Sequence, residues 1–428
     1  MVKKIKLLLT ASSGSLFETF DFYLFALFSV AISQAFLGSG STTDMMWVFI
    51  VFASGYFARI IGALFFGYIG DKYGRAYAFK YTILIIALAS IGIGLTPTYN
   101  SIGVFAIILL FIFRMAQGFS YGGELSGATI MIYENSKKNR GLYCSIIMIC
   151  ASLGVVAANL SYAGLEYWLS PEQMLFFGWR IAFIVGGLLI FHSYLSRSSL
   201  YESETFREMQ RTKKSKQNSL KIVLKDYKLL ILCVFFVTAG IASYWGIVVA
   251  YLPAYCAEYC TLTSMQFAEL ILVMSMGVVI GNIFGGLGVD WLGIKKAYLL
   301  YTSIMVVITF PVFYYVFYYI MNNTVPMINV LIVMGAFAFL TGLINGIWIH
   351  FLASVFPAEI RYTAVAIIQN AAMAIFAGLA PLYVSTLTNY FNDIMIPAKV
   401  LTTAYAIQIV AVLALIIFGK KLKASTEN

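Results

Sequence analysis

Charge is what this chain has little of. Asp, Glu, Lys and Arg make up 11% of its 428 residues, against about 25% in a soluble globular domain. Apolar residues make up 61% and mean hydropathy is +0.88, which excludes an ordinary soluble fold. Alternation of apolar and polar residues is also lacking. Stretches such as Tyr81–Leu95 show none, whereas the strands of an outer-membrane barrel alternate in segments of about ten residues. No nucleophile–base pair, metal-ligand cluster or phosphate-binding glycine loop is present, so no enzyme, cofactor or metal site is expected. The five cysteines (144, 150, 233, 256 and 260) have no metal-ligand spacing and read as small packing residues. Cys256 and Cys260, four apart, leave a local redox or metal role as the alternative.

What the chain does have is long apolar runs. About 20 helical residues cross about 30 Å of hydrocarbon, and twelve stretches qualify: 16–37, 45–67, 78–96, 102–133, 141–163, 178–196, 229–255, 266–288, 297–320, 327–352, 362–388 and 398–418. The fold class expected is an all-α integral membrane protein. The net charge of +10 follows topology rather than nucleic acid. Of the 28 Lys and Arg residues, 24 fall at alternate ends of these stretches, and the loops 38–44, 96–101, 161–177, 256–265, 321–326 and 389–397 contain none. By the positive-inside rule both termini are cytoplasmic. Lys3, Lys4 and Lys6 before Leu7–Leu9 faintly imitate a signal peptide. No small-residue cleavage site follows, so an uncleaved first helix is expected.

The polar interval 197–228 divides the chain into an expected six-helix bundle at 1–196 and a second at 229–428 with a short cytoplasmic tail. A weak repeat supports the division. Gly67, Asp71 and Gly74 recur 219 residues later as Gly286, Asp290 and Gly293, followed by Arg75 and Lys295. Repeated halves in transporters hold substrate between them near the midplane. Gly67 would permit close helix contact. Asp71, at a helix N-terminus and near Arg75, would form part of a latch between the halves; the alternative is a solvated turn.

Several segments together carry a family resemblance. Gly14, Glu18, Asp21 and Phe22 mark the first helix, and Arg59 and Gly62 the second. The fourth reads Arg114-Met-Ala-Gln117-Gly118-Phe119-Ser120-Tyr121-Gly122-Gly123-Glu124, followed by Glu134, Arg140 and Gly141. Later come Trp179-Arg180, Leu200, Glu202, Phe206, Phe356-Pro357, Glu359, Arg361-Tyr362-Thr363, Asn370 and Pro381. The chain resembles the major facilitator superfamily, and within it the metabolite:proton symporters that carry proline, betaine, α-ketoglutarate, citrate or shikimate. It departs from that pattern at Ile60 and Ala182, where the family usually has Pro, at Ser354, near which it has an acid, and in the loop after Asp290. The resemblance implies twelve helices in two bundles and alternating access, and it adds Glu134, Arg140, Asp290, Glu359 and Arg361 to the latch. Proton coupling rests on the resemblance; intramembrane carboxylates could equally serve Na⁺.

Ionisable residues in the spans are the site candidates, because charge in hydrocarbon is costly and normally faces a bundle interior or wet cavity. At 100° per residue, Arg114, Gln117, Tyr121 and Glu124 share an 80° sector of one helix. Arg114 suits a substrate carboxylate, and Glu124 is a candidate proton carrier; a structural ion pair is the alternative for both. Glu18 and Asp21 also share a face, and two close carboxyls cannot both ionise cheaply, so either is a candidate proton carrier, with the deeper Asp21 preferred; pairing with Arg59 or Arg114 is the alternative. Arg59 is either a substrate ligand or a counter-ion. Tyr244, Trp245 and Asn345 are expected cavity liners from the second half. His350 either lines the cavity or titrates, and His192 is interfacial. The expectation is a monomeric, multi-pass transporter of the bacterial inner membrane that moves a small carboxylate or zwitterion with a proton. A transporter-fold sensor without flux is the alternative from another class.

Overall fold

The computed structural model describes residues 2–37, 42–73, 75–136, 138–196, 223, 225–252, 255–256, 262–322 and 326–424. The backbone alone is described at 2–11, 42–45, 70–73, 75–76, 79, 135, 196, 264, 319–322, 358–359 and 418–424. Every regular element among them is helical. The first six spans are α1 (Val2–Leu27, continued by Ser29–Leu37), α2 (Thr42–Tyr73), α3 (Arg75–Leu95), α4 (Val104–Asn135), α5 (Arg140–Trp168) and α6 (Trp179–Ser196). The last six are α7 (Lys228–Val237, Ala239–Tyr244 and Trp245–Tyr251), α8 (Ser264–Leu292), α9 (Ile294–Asn322), α10 (Met327–Val355), α11 (Ala358–Met373, Ala374–Gly378 and Ala380–Phe391) and α12 (Ile396–Ala424). Each apolar run expected to cross the membrane is one of these twelve. Most of the connecting interval, residues 197–222, lies outside the described residues.

Chain punctuation sets many of the helix ends. Thr263 and Gln266 form a reciprocal capping box at the start of α8, and Ser170 and Gln173 another before α6. Pro326 and Pro357 stand immediately before α10 and α11, where a missing N–H costs nothing. Arg180, one of the few basic residues away from the basic loops, donates to the carbonyls of Gly94 (3.0 Å) and Thr96 (2.5 Å). It thereby satisfies the C-terminal carbonyls of α3 with a positive charge.

Three irregularities were not expected from the runs. α1 bends by 61° between its two parts, without Pro or Gly at the break. α7 is interrupted at Thr238 and continues as a π-helix over Trp245–Tyr251. α11 has a π-turn at Ala374–Gly378, with Pro381 just beyond it. π-Helical turns widen a helix locally and often accompany functional sites.

Within each set of six helices, glycines let helices pack backbone to backbone. A Cβ at Gly118 of α4 would lie 1.8 Å from the Gly55 carbonyl oxygen of α2, and one at Gly281 of α8 would lie 2.1 Å from the Phe339 carbonyl oxygen of α10. The two sets also meet through equivalent glycines. Gly67 of α2 faces the Tyr362 ring of α11, and Gly286 of α8 faces Gly141 and Ser145 of α5. The 219-residue repeat is therefore a repeat of packing role.

Candidate functional site

A narrow cavity lies between the two sets of helices. Seven aromatic side chains line it: Phe22 and Tyr23 from α1, Phe52 and Tyr56 from α2, Tyr121 from α4, Trp245 from α7 and Trp348 from α10. Arg59 is the cation in the wall. Its guanidinium carbon lies 3.7 Å from the Tyr121 ring centre, 3.9 Å from Tyr56 and 4.2 Å from Phe22. These stacked faces hold the planar group by cation–π attraction.

Behind this wall, inside the first six helices, is a second polar centre. Asp21 accepts from the Ser90 hydroxyl of α3 through Oδ1 and from the Gln117 amide of α4 through Oδ2. Gln117 also donates to Ser90 Oγ at 3.1 Å. Arg114 Nη1 donates to Gln117 Oε1 at 2.9 Å and Nη2 to the Phe22 carbonyl at 3.4 Å. Its guanidinium lies 3.7 Å from the Phe22 ring centre. Phe22 thus touches both arginines, one in the cavity wall and one in the Asp21 centre. All four side chains of that centre are buried.

The 80° sector read from α4 is divided among three neighbours. Arg114 and Gln117 serve the Asp21 centre and Tyr121 lines the cavity. Glu124 accepts from Thr82 Oγ1 of α3 at 2.6 Å. Arg114 and Glu124, considered above as a pair, have these separate partners. Of the two arginines, Arg59 lines the cavity and Arg114 lies behind Phe22. Glu18 is buried on α1 within electrostatic range of Tyr121.

From the last six helices, Trp245 lines the cavity and Tyr244 lines an adjoining one. Asn345 instead accepts from Trp245 Nε1 at 3.3 Å, holding the indole from behind. His350 is buried against Tyr133, with ring centres 5.6 Å apart. Sequence reasoning missed Phe22, Tyr23, Phe52, Tyr56 and Trp348 as a group. Aromatics are so frequent in this chain, 29 Tyr, 35 Phe and 6 Trp, that composition cannot single out those converging on one space.

At the end carrying the basic loops, the two sets are cross-linked. Glu134 at the end of α4 pairs with Arg361 of α11 at 3.4 Å. Asp290 near the end of α8 accepts from the backbone N–H groups of Gly141 (3.0 Å) and Leu142 (3.2 Å), the first turn of α5. A carboxylate there satisfies orphan donors and the positive end of the helix dipole together. Arg140 donates to the Ser136 carbonyl at 2.5 Å and stacks near Tyr133. Nearer the cavity, Tyr362 and Asn370 of α11 donate to the carbonyls of Gly123 (3.3 Å) and Gly122 (3.2 Å) of α4. The side chains of Asp71, Arg75 and Glu359, and residue Gly74, lie outside the described residues.

Comparison with known proteins agrees with this architecture. The family model described as Major Facilitator Superfamily matches residues 11–381. A putative proline/betaine transporter of Staphylococcus aureus (strain COL) is 33% identical over 437 aligned positions, covering 100% of this chain and 92% of the relative. The proline/betaine transporter of Escherichia coli (strain K12) is 29% identical, covering 96% and 82%. Among solved structures, the proton:xylose symporter XylE superposes with a TM-score of 0.77 over 97% of this chain and 95% of that one, at 16% identity; this likeness bears on the fold alone. The chain belongs to the Major Facilitator Superfamily and is a multi-pass membrane transporter of small molecules.

Proposed function

We propose that this transporter is a proton symporter for a small zwitterion carrying a quaternary or secondary ammonium group and a carboxylate, of the betaine and proline kind. The observation that carries this reading is the cavity wall, which combines one guanidinium with seven aromatic side chains. Arg59 suits the carboxylate, with its fork of donors already oriented by stacking. The rings that Arg59 leaves uncovered, Tyr23, Trp245 and Trp348 among them, suit an onium head, because quaternary ammonium groups bind in aromatic cages. A di- or tricarboxylate would bring two or three negative charges to one arginine and a largely apolar wall. The full-length similarity to proline/betaine transporters supports the same choice.

Asp21 is the proposed proton carrier. Its carboxyl is buried on α1 next to Phe22, a cavity residue, so protonation and occupancy act on adjacent positions of one helix. Arg114 and Gln117 are then partners of the titrating group. Loss of the negative charge would free Arg114 to rearrange. We further propose a monomer in the bacterial inner membrane with both termini cytoplasmic, following the basic loops. In that orientation the Glu134–Arg361 and Asp290–α5 contacts close the cytoplasmic side.

The test is uptake of labelled glycine betaine, proline, α-ketoglutarate and citrate into proteoliposomes with and without an inward proton gradient. Gradient-dependent accumulation of glycine betaine or proline is expected. Accumulation of only the organic acids, or accumulation driven equally by Na⁺ alone, would overturn the reading.

A further inference from the structure

Trp245 is shared by two cavities. Beside the central one lies a second, smaller space, bounded by Ser152 and Val155 of α5, Tyr244 and Val248 of α7, and Met274 and Ser275 of α8. Tyr23, Trp245 and Val249 belong to both walls. The second cavity occupies the seam between α5 and α8, beside the central cavity. Farther along that seam a third space, lined by Tyr162, Cys256 and Phe267 among others, adjoins the bend of α1.

The indole of Trp245 is fixed by a directional ladder of hydrogen bonds. Trp245 Nε1 donates to Asn345 Oδ1 at 3.3 Å, Asn345 Nδ2 to Asn282 Oδ1 at 3.0 Å, and Asn282 Nδ2 to Ser152 Oγ at 3.1 Å. It runs from α7 through α10 and α8 to α5, and so ends in the first six helices. Asn345, Asn282 and Ser152 are all buried. Buried polar groups that satisfy one another specify a unique arrangement, and breaking one rung leaves its neighbours unpaired. The ladder leaves Trp245 on the π-helical part of α7, where the backbone is already irregular.

We infer that Trp245 is a door between the central cavity and the seam chamber, and that the Asn345–Asn282–Ser152 ladder is its latch. Because the latch ends on α5, separation of α5 from α8 breaks its last rung, leaves Asn282 without that partner and so loosens the door. The rocking of the two sets of helices is thereby tied to passage at one indole. Asn345 and Asn282 are positioning residues that act through Trp245. The inference deepens the proposed transport of a zwitterion and rests on it for its role, though not for its geometry.

The experiment uses full-length protein with the other five tryptophans changed to phenylalanine, so that emission reports Trp245 alone. Acrylamide quenching is compared between that background and its Asn345→Leu and Ser152→Ala derivatives, each shown to be monodisperse. The expected result is a several-fold rise in the quenching constant for Asn345→Leu and a smaller rise for Ser152→Ala. In a background retaining the other tryptophans, Trp245→Phe keeps a ring but loses the N–H. It is expected to raise the KM for glycine betaine several-fold with little change in maximal rate. Quenching unchanged by Asn345→Leu would overturn the latch. Increased quenching, with unsubstituted protein that moves neither glycine betaine nor proline, would uphold the latch and reject the substrate reading.

Discussion

The two sets of six helices are built alike and equipped differently. Each has a backbone-on-backbone helix pair, α2 with α4 and α8 with α10, and each offers an equivalent glycine to the other. Their buried polar chemistry diverges. Among the described residues, the buried acidic, basic and imidazole side chains of the first set are Glu18, Asp21, Arg59, Arg114 and Glu124, whereas the last set has His350. In place of charges it holds amides, hydroxyls and indoles: Asn282, Asn345, Gln408, Thr238 and Trp348. Charge confined to one half lets protonation alter the fit of that half alone. Neutral ladders in the other keep their geometry whatever the pH.

The largest effect should come from challenging what the halves share. Gly118→Leu and Gly281→Leu each drive a side chain into a carbonyl of the partner helix, and each should cost more than about 3 kcal/mol. The checks are folded yield and thermal stability in detergent. If either is tolerated, the two backbone contacts are not equivalent. Next comes what they do not share. Asp21→Asn should abolish proton-driven accumulation while leaving exchange of labelled for unlabelled glycine betaine, and Arg114→Ala should abolish both with membrane insertion intact. Wild-type response to a pH gradient in Asp21→Asn would move the titrating step elsewhere.

A smaller effect is expected at the junction of the halves. Glu134→Gln removes the partner of Arg361 and should shift the balance of conformations by about 1.5 kcal/mol, roughly tenfold. Accessibility of an engineered cysteine near Tyr362 to a membrane-impermeant maleimide measures it. The smallest should be Asp393→Asn, in the loop before α12. Asp393 is bonded by Lys399 and by the Met395 N–H, which hold its carboxyl below the usual value of 3.8. A carboxyl lowered in this way contributes stability that is fully present above that value and lost as pH falls below it. The pair is exposed, so the substitution should change stability at pH 7 by no more than about 0.5 kcal/mol. Thermal melts at pH 7 and pH 3 should show a difference at the first that is smaller at the second.

The twelve spans were legible because hydropathy and loop charge act over many residues, and single exceptions average out. The bend of α1 was not, since Leu27–Phe28–Ser29 has no residue that forbids a helix; the bend answers to neighbours distant in sequence. The repeat identified Gly67 and Gly286 as counterparts, and their packing partners followed the same symmetry. Site assignment was legible only in part. Helical periodicity put Arg114, Gln117, Tyr121 and Glu124 on one sector, but a sector 80° wide touches several neighbours. Which of them each side chain meets depends on how α1 and α3 pack there. For the same reason nothing in the sequence order said that Arg59 would face the cavity and Arg114 the Asp21 centre, with Phe22 between them.

The glycine seams have a consequence for descent. Where one main chain rests directly on another, no substituent fits, so those positions are closed to drift. The aromatic wall is under no such constraint: a ring there can be enlarged, trimmed or given a hydroxyl without disturbing α2 against α4 or α8 against α10. Lineages built on this frame are free to acquire new cargo by rewriting a few side chains around one space, while the moving parts that carry it stay as inherited.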